Sequence, residues 1–150
     1  MDHIRRIDLG LKLAVDLKQA SRRVSAAVEP FCLSLDQLGC FPSPSRARVL
    51  WIGGEAPPPF CGLVRSLEHE LGRMGFPPDR KPTIAHATLA RIKGRPDPRL
   101  VRILEDGRPD TPLEVPVERI ALMESIRSAQ GAAYSPLFTT PLSGGGHHAV

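Results

Sequence analysis

Sixteen prolines are spread over 150 residues, and they set the length of everything between them. A proline lacks the backbone donor and pushes the residue before it out of the helical region, so helices end ahead of it and central strands avoid it. With 13 glycines as well, the chain reads as short elements joined by frequent turns. Hydrophobic residues make up 41% and charged residues 24%, enough apolar material for the core of one ordinary globular domain.

Between the prolines, the apolar residues switch between two periods. Ile4, Ile7, Leu11, Ala14, Val15, Val24 and Val28 fall at helical spacing behind Asp2, a capping residue, and Glu29-Pro30 closes a helix over 3–28. FCLSLDQL alternates, which predicts a half-buried strand over 31–38; GCFPSPSRAR is a turn, and VLWIG lies in a second strand over 47–53, antiparallel to the first. After the breaker EAPPP, the stripe Phe60, Leu63, Val64, Leu67, Leu71 and Met74 predicts a helix over 59–75 ending at Gly75. A strand over 84–92 follows. Asp97-Pro98 is an N-cap with proline at the first helical position and opens a helix over 98–106. Strands over 115–125 and 134–142 complete the folded part, residues 1–142, and SGGGHHAV marks 143–150 as a flexible tail. The second half reads strand, helix, strand, strand. The first half repeats this order without its opening strand.

The formal net charge of +4 and pI near 9.3 suit an anionic ligand, although a solvated basic surface gives the same count. Cys32, Cys40 and Cys61 are odd in number and lack CxxC spacing, which points to reduced cytosolic thiols instead of disulfides or a zinc site. Asp2, Asp8 and Asp16 interrupt the apolar residues at the start, and no run reaches membrane-spanning length, so the expected location is cytoplasmic. There is no glycine-rich phosphate loop and no metal-ligand cluster, so neither cofactor nor metal is expected.

The run IAHATLARI, residues 84–92, departs from a plain core strand. Residues two apart in a strand share a face, which puts His86 and Thr88 together, with Ile84 and Ala90 continuing that side. Imidazole exchanges protons near neutral pH, and a hydroxyl donates to a phosphate oxygen. Alone, an H-x-T triplet is more often a core or rim histidine beside a β-forming threonine.

Its surroundings are more specific. HATLAR (86–91) follows the proline-rich FPPDRKP; LDQLGCFPSPSRARVLWIG spans 35–53; VERIALMES (117–125) precedes Tyr134-Ser135-Pro136-Leu137. In this order and spacing, over about residues 3–142, the chain resembles the two-histidine (2H) phosphoesterases, specifically the bacterial RNA 2',3'-cyclic phosphodiesterases also described as 2'-5' RNA ligases. The resemblance implies an α+β, bilobal fold of pseudo-symmetric antiparallel sheets flanked by helices, each lobe bringing an H-x-T strand to a shared cleft. Two histidines are needed because opening a cyclic phosphodiester takes one proton from the attacking water and gives one to the departing sugar oxygen. It further implies that His86 is the base, that Thr88 and Arg91 hold phosphate, and that the product is a 2'-phosphomonoester, with 2'-5' ligation as the reverse reaction. The implied partners are RNA 2',3'-cyclic phosphate ends or cyclic nucleotides, with no metal and no membrane.

One departure from the family's pattern stands out. Its first H-x-T motif belongs in a strand just ahead of the first helix, where this chain reads Met1-Asp2-His3-Ile4-Arg5-Arg6, with Arg5 in the place of threonine. The expectation is a first lobe missing its N-terminal strands, so that the chain supplies only the second motif. The alternative is a catalytically inactive remnant that binds RNA ends or nucleotide phosphates through Thr88 and Arg91. Phe41, in the turn of the first hairpin, either stacks on a base or packs that turn. Trp51 is assigned to the core.

Overall fold

The computed structural model of the chain describes residues 11–79, 82–129 and 131–144. The beginning of the first predicted helix with His3, Arg80 and Lys81, and the tail from residue 145 with His147 and His148 lie outside them. The elements in chain order are α1 (Leu11–Ala26), β1 (Phe31–Leu35), β2 (Gln37–Phe41), β3 (Val49–Gly54), α2 (Pro58–Arg73), β4 (Ala85–Arg91), α3 (Pro98–Asp106), β5 (Leu113–Val117), β6 (Arg119–Ser128) and β7 (Gly131–Pro141). Among the described residues no helix is long and apolar enough to cross a membrane.

Two predicted strands are each two. The stretch 31–38 divides at Asp36, and 115–125 divides at Glu118. In both, the apolar alternation slips by one residue: Phe31, Leu33 and Leu35 give way to Leu38 and Cys40, and Val115 and Val117 give way to Ile120 and Leu122. A slip of one sends side chains to the opposite face, so a single strand cannot keep both sets buried. The halves part into different sheets. β1 pairs with β5, β2 joins β3 and β4, and β6 pairs with β7.

The chain divides into two compact units, each built from separated segments. One contains Cys32–Pro57 and Pro82–Pro116. Its main sheet has the order β2-β3-β4, antiparallel throughout, with Gln37 opposite Gly53 and Phe41 opposite Val49 in the first pair. β2 runs further than predicted, to Phe41; Arg48 N–H donates to the Phe41 carbonyl at 2.8 Å, closing a loop that holds a single 3-10 turn at Pro44–Arg46. Leu35, Ala47, Val49, Ile52 and Ala85 are the buried apolar residues of this unit. The Asp97 cap appears as predicted, its carboxylate accepting from Arg99 N–H at 2.8 Å and from the Arg99 guanidinium, which holds Asp97 below its ordinary pKa. Between β1 and β5, the Glu114 carboxylate accepts from Ser34 Oγ at 2.6 Å and from Cys32 Sγ at 3.3 Å. These bonds lower Glu114, the serine contributing most, and raise the Cys32 thiol.

The second unit holds α1, α2 and the β6–β7 hairpin. The α2 stripe forms as predicted, with Leu63 4% exposed at its centre. It meets Val24 of α1 and Leu142, with Val28, Phe31, Leu67, Val117 and Ile120 around them. Polar groups in this core are matched: Ser25 Oγ and Thr140 Oγ1 lie 3.0 Å apart, and Ser25 also donates to the Arg22 carbonyl. Arg23 on α1 reaches Glu70 on α2 at 2.5 Å. The closing hairpin expected from VERIALMES and Tyr134–Leu137 is present, antiparallel from Arg119 opposite Pro141 to Ser128 opposite Gly131, with a register shift between Leu122 and Met123.

Candidate active site

β3 is the middle strand of its sheet, so its register defines which side chains share a face. Residues directly opposite each other point the same way, as do residues two apart. Val49, Trp51 and Gly53 alternate along β3 on one side. Opposite them stand Phe41, Gly39 and Gln37 on β2, and Arg91, Thr88 and His86 on β4.

His86 and Thr88 therefore share a face, as the H-x-T spacing predicts. Arg91 arrives on that face by a different route. Strict alternation would give the place to Ala90, but the register shifts between Leu50 and Trp51: Thr88 pairs with Trp51, Ala90 pairs with Leu50, and Leu89 has no partner on β3. This is a β-bulge, one extra residue that resets the alternation beyond it. Ala90 passes to the side of Leu50 and Ile52, and Arg91 comes to the side of Thr88 and His86. Apart from Ala85, all of β4 is exposed.

The His86 ring is held at one nitrogen. Its Nδ1 lies 3.0 Å from the backbone carbonyl of Ile84. A carbonyl only accepts, so Nδ1 carries the hydrogen in this contact, and the lone pair of the neutral ring is then on Nε2. That is the tautomer a general base requires. Two aromatic rings flank the imidazole: Phe41 with its centroid at 5.5 Å and an interplanar angle of 82°, and Trp51 at 6.1 Å and 60°. Phe41 and Trp51 are themselves 5.5 Å apart. Phe41 thus ends β2 instead of sitting in the turn, and it packs beside the histidine. Trp51, assigned to the core from sequence, is half-buried on the face that carries His86, Thr88 and Arg91. His69, the other histidine among the described residues, is exposed on α2 and belongs to the second unit. No three His, Cys, Asp or Glu side chains among the described residues converge as a metal site would require.

The profile of the family described as LigT-like phosphoesterases matches residues 55–134, which include β4 with its H-x-T motif. The chain is 37% identical over 132 residues to the RNA 2',3'-cyclic phosphodiesterase of Aeropyrum pernix, covering 83% of this chain and 72% of that protein. The chain belongs to the LigT-like phosphoesterase family. A relative of the same name from Archaeoglobus fulgidus is 31% identical over 136 residues, covering 90% of this chain and 76% of that one. Among solved structures, TT0787 of Thermus thermophilus superposes with a TM-score of 0.69 at 29% identity over 93% of this chain and 75% of its own. Escherichia coli LigT complexed with 3'-AMP gives 0.68 at 22% identity, over 90% and 71%, a likeness of fold. The α+β fold with antiparallel sheets and helices is that of the LigT-like phosphoesterases, and the chain is of the RNA 2',3'-cyclic phosphodiesterase class of enzymes.

Within this LigT-like phosphoesterase, three residues of the site face are not assigned to it from sequence: Trp51, read as core, and Gly39 and Gly53. The readable signal was the hairpin itself. Once β2 and β3 are paired, Trp51 falls opposite Gly39 and two residues from Gly53. Two glycines beside an indole is a spacing that alternation alone does not explain.

Proposed function

We propose that the chain acts on RNA 2',3'-cyclic phosphodiester ends, or on the corresponding cyclic nucleotides, and hydrolyses them to 2'-phosphomonoesters. The observation that carries this reading is the arrangement on β4: His86 with Nδ1 bonded to the Ile84 carbonyl, and Thr88 and Arg91 on the same face. The names of the A. pernix and A. fulgidus relatives supply the substrate class.

In the proposed step, His86 Nε2 takes a proton from water as the water oxygen bonds to phosphorus. The bond from phosphorus to the 3' oxygen breaks, and that oxygen receives a proton, leaving a 3'-hydroxyl and a 2'-phosphate. The non-bridging oxygens gain charge on the way. The Thr88 hydroxyl and the Arg91 guanidinium stabilise that charge, the arginine through a charge-assisted pair. Phe41 contacts the nucleoside attached to the phosphate. The proton for the 3' oxygen is assigned to the second histidine of the two-histidine mechanism, on the family's first H-x-T strand; the 150 residues carry one H-x-T motif, at 86–88, and supply the base side of the reaction. With a 5'-hydroxyl in place of water as the attacking group, the same proton transfers form a 2'-5' linkage as the bond from phosphorus to the 3' oxygen breaks and that oxygen takes up the proton.

The test is turnover of a 2',3'-cyclic nucleotide by the protein and by its His86→Ala variant, with the position of the product phosphate determined. Loss of a general base lowers kcat by about 10²–10⁴-fold. Equal rates remove His86 from the reaction. Salt-sensitive binding of the cyclic nucleotide without turnover in either protein identifies the inactive phosphate binder, a reading favoured by the single H-x-T motif among the described residues.

A further inference from the structure

The indole of Trp51 lies where two β-carbons are missing. A Cβ on Gly39 would overlap Cζ2 and Cη2 of Trp51 and stand 2.5 Å from Cε2. A Cβ on Gly53 would come within 2.9 Å of Cζ3 and 2.7 Å of the Ala85 carbonyl oxygen. Gly39 is directly opposite Trp51 across the β2–β3 pair, and Gly53 is two residues along β3. The ring therefore lies down across the sheet, over bare backbone on two sides. Side chains in a sheet ordinarily stand nearly perpendicular to it.

This placement works against stability in two ways. Glycine inside a strand weakens it, and the sheet accepts two of them around one ring. The Trp51 indole N–H is buried with no hydrogen-bond partner, an arrangement folded proteins usually avoid. What the flat ring gains is its neighbour. Lying down, it reaches across β3 to the imidazole opposite Gly53, and it also supports Phe41, the second ring against that imidazole.

We infer that Trp51, laid flat on Gly39 and Gly53, is a positioning residue for His86. The Ile84 carbonyl fixes one ring nitrogen, and the indole blocks the swing about the Cα–Cβ bond that this one bond leaves open. Together they define where Nε2 points. This rests on the reading of His86 as the catalytic base, and a small angular error in such a base lowers rate far more than substrate affinity.

Two measurements separate the proposal from that reading. The first needs no turnover. In the full chain, NMR of His86 is expected to show cross-relaxation between its ring protons and the Trp51 indole protons, together with the Nδ1–H tautomer. Absence of those contacts in the unsubstituted protein overturns the proposal, whatever its activity. The second uses Trp51→Phe, Trp51→Leu and Gly39→Ala, each checked for folding by circular dichroism. Trp51→Leu and Gly39→Ala are expected to lower kcat for a 2',3'-cyclic nucleotide by tenfold or more, with KM within about threefold. Trp51→Phe is expected to recover most of the rate. A folded Trp51→Leu protein with unchanged kcat and an unchanged His86 spectrum overturns the proposal. Should Trp51→Leu not fold, the contacts in the unsubstituted protein and the Gly39→Ala rate decide it. If the unsubstituted protein turns nothing over, the proposed reaction fails and the spectrum alone judges the positioning role.

Discussion

Arg91 reaches the site face only because Leu89 is skipped by the ladder, and that makes its position in the chain testable. Moving the cation one place back, in the double variant Ala90→Arg with Arg91→Ala, preserves composition and net charge. It sends the guanidinium to the side of Leu50 and Ile52. The expected outcome is a loss of turnover as large as that of Arg91→Ala alone, on the order of tenfold or more by comparison with other transition-state donors. Restoration of rate by the shifted arginine would show that the face does not matter. The same residues show how far single-sequence reading goes. His86 and Thr88 were paired correctly because a period of two needs no knowledge of partners. Ala90 was misplaced because nothing in T-L-A-R marks Leu89 as an inserted residue; a bulge is a property of two strands. Trp51 was read as core for a related reason. Its bulk and apolar neighbours say "buried", whereas the glycine opposite it is visible only after pairing.

At the level of elements, the helices were the most legible, since their apolar stripes extend over several turns. Leu63 sits at the centre of the α2 stripe and packs on Val24 and Leu142. Leu63→Ala is expected to destabilise the fold by about 2–5 kcal/mol, measured by urea denaturation. The bond from Arg23 to Glu70 joins the two helices and holds the Glu70 carboxyl below its ordinary range. A carboxylate with a depressed folded-state pKa contributes stability above its unfolded value and loses it as pH falls through the folded one. The urea midpoint of Glu70→Gln is therefore expected to lie slightly below that of the parent at neutral pH. The gap should close on acidification through and below the carboxylate range. A gap that is constant with pH would mean the glutamate acts by packing. Strand limits were less legible than helix limits. The phase slips at Asp36 and Glu118 are present in the sequence, yet alternation on either side is strong enough to be read as one run.

For the molecule as a whole, the units are interleaved along the chain, and no contiguous stretch holds one of them without part of the other. A chain ending after Pro116 keeps the segments of the first unit and loses β6 and β7 from the second. Amide exchange in such a chain is expected to stay slow in β2 and β3 and to accelerate in α1 and α2. Trp51, the single tryptophan, reports the first unit in the same experiment through its fluorescence. Equal loss in both units would show that neither holds without the other. Interleaving also governs the order of events at the ribosome. The apolar side of α1 emerges early, but Thr140, which hydrogen-bonds to Ser25, is translated 115 residues later. At roughly 5–20 residues per second, the part of that surface that meets Thr140 and Leu142 stays uncovered for several seconds or longer, after α2 has already been made. During that time the nascent polypeptide presents apolar surface with its final cover still unmade, and slow codons near the 3' end of the message would prolong that interval.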